Sequence, residues 1–229
     1  MTRLTLLLIS LCFPASLHAR DESFIIKFRT YGMHPGIYNG LSYRDNTNAS
    51  TGLVFASKSR STEYFVKLSP ENPVIRFYRN ETTAKEGAQN NENAVTEIRV
   101  HPKDAELLLI FRKTTAMERE AYSVFAINDS ASVSPPNSLR ILNLTGFQVN
   151  CSLNGKRFDL EYAQASDPII PDKTNEAKLV VVAEGITRYH LIYKRNLKIR
   201  RDERSLLILC PPARQGSHRI GGHLLTEHL

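Results

Sequence analysis

The side chains able to do chemistry in this sequence fall into three groups. They are seven histidines, a cysteine pair at 151 and 210, and a dense run of cations from Tyr193 to Arg204. His34, His101 and His190 are scattered singly, whereas His218, His223 and His228 recur every fifth residue. A metal site needs several ligands in fixed geometry. No Cys-x-x-Cys, His-Glu-x-x-His or calcium-loop spacing provides them. No metal ligand is therefore assigned, and the last three histidines read as solvated. Covalent catalysis has no better footing, since there is no Gly-x-Ser-x-Gly elbow and no glycine-rich phosphate loop. No catalytic residue and no cofactor is implied. A hydrolase or glycan-processing enzyme with a non-standard site remains the alternative. It would require His101 or His190 beside a carboxylate in a concave pocket.

The cations are the most unusual charge feature. Lys194, Arg195, Lys198, Arg200, Arg201 and Arg204 stand among only two acids, Asp202 and Glu203. On a strand, Lys198 and Arg200 share one face, and Leu197 and Ile199 the other. This makes a candidate anion-binding surface over an apolar seam. The competing explanation is edge protection, in which charge on an outer strand deters pairing with other chains.

The compartment follows from the first 22 residues. Arg3 precedes the apolar run Leu4–Phe13, then Pro14, small residues, and Leu17-His-Ala19 ahead of Arg20, Asp21 and Glu22. This order is that of a secretory leader over residues 1–19. The run is too short to span a bilayer, and no later segment is long enough, so no transmembrane segment is expected after cleavage. The expected product is periplasmic or extracellular. Removing Arg3 takes the formal charge from +7 to +6. That excess suits an anionic polysaccharide, another envelope polymer or another envelope protein, and nucleic acid is not expected outside the cell. Cleavage also removes Cys12. The remaining even pair, Cys151 and Cys210, in an oxidising compartment suggests a disulfide. It would close a loop of about 60 residues, worth about 4 kcal/mol. Two separate buried thiols are the other possibility.

The elements that must position these groups are strands. Phe24, Ile26 and Phe28 alternate with Ile25, Lys27 and Arg29, and the same period of two runs through 63–68 and 94–100. Val74–Tyr78 is β-rich, Leu107–Phe111 is continuously apolar as a central strand should be, and Tyr122–Ile127 follows. A short charged stretch, Thr115–Glu120, fits one helical turn. Residues 131–137, with Pro135 and Pro136, form the clearest boundary. Beyond it come strands at 139–144 and 148–153, the hairpin turn Asn154-Gly155, and its return strand through Phe158, Leu160 and Tyr162. Strands at 178–183, 187–193, 197–200 and 205–210 complete the set. Residues 80–93 read as a mobile loop and 215–229 as a disordered tail.

Ser138-Leu-Arg-Ile-Leu-Asn-Leu-Thr145, followed by the turn Leu153-Asn-Gly-Lys156, resembles uncharacterised exported bacterial β-sandwich envelope proteins. The alginate O-acetylation accessory factor is similar in the same limited sense. The resemblance implies a periplasmic accessory or binding role and carries no active-site residues. The expected architecture is all-β, with two small antiparallel β-sandwich or barrel-like domains at 20–130 and 138–214 joined by a linker at 131–137. The expected function is a non-enzymatic envelope protein that binds, scaffolds or assembles. A further alternative is a chaperone-like accessory that donates an edge strand to its partner.

Overall fold

The computed structural model describes residues 23–45, 47–79, 94–116, 119–171, 175–185, 189–214 and 216–228. The expected leader at 1–19 and the expected loop at 80–93 lie outside these residues. The described residues hold fifteen strands: β1 (Phe24–Gly32), β2 (Ile37–Arg44), β3 (Ser50–Ala56), β4 (Tyr64–Leu68), β5 (Val74–Arg79), β6 (Thr96–Arg99), β7 (Glu106–Ala116) and β8 (Arg119–Asn128), then β9 (Ser138–Asn143), β10 (Val149–Leu153), β11 (Lys156–Leu160), β12 (Glu176–Glu184), β13 (Tyr189–Lys198), β14 (Glu203–Cys210) and β15 (Gly221–His228). No helix occurs among the described residues, and no helix there could cross a membrane.

The strands form four small sheets, none closed into a barrel. Their orders are β4-β1-β7-β8, β3-β2-β5-β6, β15-β14-β9 and β11-β10-β12-β13. The first two enclose one core, in which Phe28, Phe55, Phe77 and Phe111 pack with Leu109 and Ile75. The last two enclose another, built from Leu139, Ile141, Cys151, Leu179, Val181, Leu207 and Leu209. A third cluster joins the pairs. Tyr31, Leu108, Ile110 and Ile127 come from the first sheet, Met33 from the turn just after β1, and Leu142, Leu206, Ile208, Cys210 and Leu225 from the third sheet. Four layers are therefore stacked, and the two inner sheets are covered on both faces.

That stacking accounts for two sequence runs. In Leu107–Phe111, the odd-numbered residues enter the first core and Leu108 and Ile110 enter the seam. In Leu206–Cys210, Leu207 and Leu209 enter the second core while the even-numbered residues enter the seam. A strand buried on both faces has no polar side to alternate with.

The all-β class holds, with several corrections. The sheets are not wholly antiparallel, because β1 pairs β7 in parallel and β14 pairs β9 in parallel. The helical turn expected at 115–120 is replaced by strand on both sides, since β7 runs to Ala116 and β8 starts at Arg119. The strands β2 and β3 were not anticipated. Gly40, at φ +81°, accompanies a register shift between Tyr38 and Leu41, and this breaks the period of two in β2. The tail is not disordered between 221 and 228. There β15 pairs with β14 along its whole length, from Cys210↔Gly221 to Glu203↔His228. Its small apolar content hid it, since only Leu225 is fully packed. Residues 131–137 run as tight turns, with Ser134 buried and its N–H donating to the Ser130 carbonyl at 2.8 Å.

Candidate functional site

The cation run is split by the fold. Lys194, Arg195 and Lys198 lie on β13, an outer strand of the fourth sheet, and all are exposed. Arg200 and Arg201 follow in the turn to β14 and are exposed as well, with Arg200 Nη1 3.5 Å from Glu203 Oε1. Arg204 is withdrawn from the surface entirely. Its side chain is 7% exposed and faces the seam between the first and third sheets, so it does not belong to an anion-binding surface. The reason is parity: Arg204 shares its face of β14 with Leu206 and Ile208.

The register shows which side chains share the outer face of the fourth sheet. Ala177, Leu179 and Leu197 point into the core. Lys178 and Val180 therefore point outward, opposite Asn196 and Lys194 respectively, and Lys198 lies opposite Glu176. Val180 is flanked on its other side by Ser152, which is opposite Arg157 on β11. Lys178 thus sits diagonally between Lys194 and Lys198, within reach of long side chains. None of these three lysines pairs with an acid among the described residues. The charge excess is concentrated on this side of the chain. Residues 138–229 hold 14 bases and nine acids, against 15 and 14 in residues 20–137.

The acids and arginines at the seam form a second assembly. Arg60, from the β3–β4 connection, donates from Nε to Asp129 Oδ2 at 2.9 Å and from Nη2 to Asp129 Oδ1 at 3.1 Å. Arg204 donates from Nη1 to the Asp129 carbonyl at 2.7 Å and from Nε to Glu227 Oε2 at 2.7 Å. Arg29 links Glu227 to Glu63, and Lys27 extends the chain to Glu106 at 2.7 Å. Burial raises the pKa of the Glu227 carboxyl. The hydrogen bond from Arg204 and the charges of Arg60, Arg204 and Arg29 outweigh it and hold the group below its ordinary range. Four cations face four carboxylates, and Arg60 Nη1 alone is buried without a hydrogen-bond partner among these groups. A cleft of about 250 Å³ opens beside them, lined by Arg29, Ser59–Glu63, Thr226 and Glu227. The arrangement is one of mutual neutralisation, and it locks the first sheet to the third.

The expected disulfide is absent. Cys151 and Cys210 are both free and buried. Cys151 lies in the core between the third and fourth sheets, and Cys210 lies in the seam on the other side of the third sheet. A layer of backbone separates them, and a disulfide needs Cβ atoms about 3.5–4.5 Å apart. Burial pushes the thiols up to about 12 and about 11 respectively. Since the thiolate is the reactive form, both should resist an aromatic disulfide reagent at pH 8 in the folded protein and react at once in denaturant. Fast labelling without denaturant would contradict the burial.

The residues of the 138–145 stretch and of the 153–156 turn have structural roles here. Arg140 is buried and donates to the carbonyls of Ser166 at 3.1 Å and Asn128 at 2.6 Å. Asn143 is fully buried and donates to the Phe147 and Leu160 carbonyls. Asn154 and Gly155 adopt φ of 48° and 87°, as a two-residue hairpin turn requires. Among the described residues the histidines do not gather into a catalytic set. His101 Nδ1 accepts from the Lys103 N–H at 3.2 Å, His190 stacks on His218, and neither lines the cleft at the seam. The sequence reading missed the seam network and the neighbours of His228. Neither has a local signal, because the partners come from distant strands. Compared with known protein families and with characterised proteins, the sequence matches none.

Proposed function

We propose that this chain is an exported, non-catalytic binding module that holds an acidic envelope polymer, an anionic polysaccharide by class, against the outer face of its fourth sheet. The observation that carries this reading is Lys178. Edge protection accounts for Lys194, Arg195 and Lys198, because β13 is an outer strand. It does not account for Lys178, because β12 is flanked on both sides by β10 and β13. A lysine there, diagonal to two more, makes a cationic surface rather than a guarded edge. Such a pleated, shallow surface fits an extended chain with regularly spaced carboxylates better than a small substrate.

The test is binding of the mature protein to a soluble uronic-acid polysaccharide across a salt series. Affinity should fall steeply as salt screens the exposed charges. Replacing Lys178, Lys194 and Lys198 together by glutamate should weaken binding about 10- to 100-fold at low salt. Affinity unchanged by the triple replacement would refute the reading. The strand-donating alternative finds less support, since the C-terminal half of the outer strand β13 exposes the charges of Lys194, Arg195 and Lys198.

A further inference from the structure

We infer that Asp202, Glu203 and His228 form a binding site for one divalent transition-metal ion of the zinc class. Glu203 opens β14 and lies directly opposite His228 near the end of β15. Asp202 belongs to the preceding turn. Consecutive residues within a strand point to opposite faces, but the turn lets both carboxylates converge on one imidazole. His228 Nδ1 is 3.3 Å from Glu203 Oε1 and 3.9 Å from Asp202 Oδ2, and the three donor atoms all lie within 4.8 Å of one another.

Two physical points favour a metal over a plain ion pair. The first is spacing. Ligand bonds of about 2.0–2.2 Å in a tetrahedral site place donor atoms roughly 3.4 Å apart. The His228–Glu203 separation matches this, and a small closure of the exposed Asp202 completes it. A charge-assisted hydrogen bond would instead be about 2.7–2.9 Å. The second is the state of Glu203. Its side chain is only 8% exposed, yet its closest polar contacts among the described residues are His228 at 3.3 Å and Arg200 at 3.5 Å. A buried carboxylate is normally held by shorter, stronger bonds. Arg200 is 66% exposed and free to swing into solvent when a cation arrives. The donor set, one imidazole and two carboxylate oxygens, suits zinc and its neighbours, with water filling the remaining position. The ion would staple the end of β15 to the β13–β14 turn.

The experiment is calorimetric titration of the full, chelator-stripped protein with zinc chloride, with cobalt(II) absorption as a second readout. One equivalent should bind. His228→Ala should weaken binding at least about 30-fold and Asp202→Asn at least about 10-fold, as expected for loss of a direct ligand. Both side chains are exposed, so both variants should fold, and circular dichroism would verify it. His218→Ala, which removes a histidine outside the cluster, should leave the affinity unchanged. Absence of saturable binding, or binding indifferent to His228→Ala, would overturn the assignment.

Discussion

Replacing Asp129 by alanine should destabilise the protein by about 3–5 kcal/mol, measured by urea denaturation, because it strips the buried Arg60 guanidinium of its carboxylate, while Arg204 keeps its bonds to Glu227 and to the backbone carbonyl of residue 129. Asp129 is 6% exposed, Arg60 5% and Arg204 7%. The carboxylate accepts from both Nε and Nη2 of Arg60 and lies 3.7 Å from Arg204 Nη2. Among the described residues, truncation leaves the Arg60 guanidinium with the Glu227 oxygen alone, 3.6 Å away. A buried charge without a partner costs far more than the intact pair contributes, so the sign is secure even though such a pair adds little net stability. The contrast is Glu97→Ala. That change breaks an exposed contact with Arg76 and should shift stability by less than about 1 kcal/mol. If Asp129→Ala matched Glu97→Ala, water would have free access to the seam and the network would be a surface feature.

The seam itself is the second place where one residue should matter greatly. Leu108 is fully buried and belongs to the cluster that joins the first sheet to the third. Leu108→Ala should cost about 2–5 kcal/mol, the range for a deleted core leucine whose cavity cannot fully close. If the two sheet pairs touched only loosely, the same change would expose the site to water and cost much less. Ile208 lies in the same cluster on the partner sheet. A double-mutant cycle between Leu108→Ala and Ile208→Ala should therefore return a coupling of about 0.5–3 kcal/mol. Additive losses would mean that the layers do not share one packed interface. Phe111→Ala offers the comparison on the opposite face of β7, where it opens the first core next to Phe55 and Phe77.

These effects show where local sequence stops being informative. Period-two alternation in Phe24–Arg29 and in the Asn154-Gly155 hairpin marks strands because side-chain direction in a strand depends only on neighbouring residues. The unbroken run at 107–111 marks a central strand for the same reason. Sequence could not show what covers them. Asp129 is 69 residues from Arg60 and 75 from Arg204, and nothing local joins the three. Arg204 looks like one more cation in a surface run until the strand boundary at Glu203 fixes its parity and turns it inward.

The same distinction applies to the cysteines and the last strand. Composition made Cys151 and Cys210 an apparent pair, but the third sheet lies between them, and only the order of the layers could reveal that. Residues 221–228 carry weak apolar patterning, so their strand depends on the ladder offered by β14 and not on their own preferences. The sequence by itself determined that the chain is built of strands, where its best hairpin turns, and that 107–111 is a central strand; that β9 and β14 are also buried at every position came from the stacking. Tertiary structure alone decided which faces meet, and therefore which charges are sealed in the seam and which stay exposed. Periodicity is a property of adjacent residues, whereas burial depends on partners that the chain brings together only when the sheets stack.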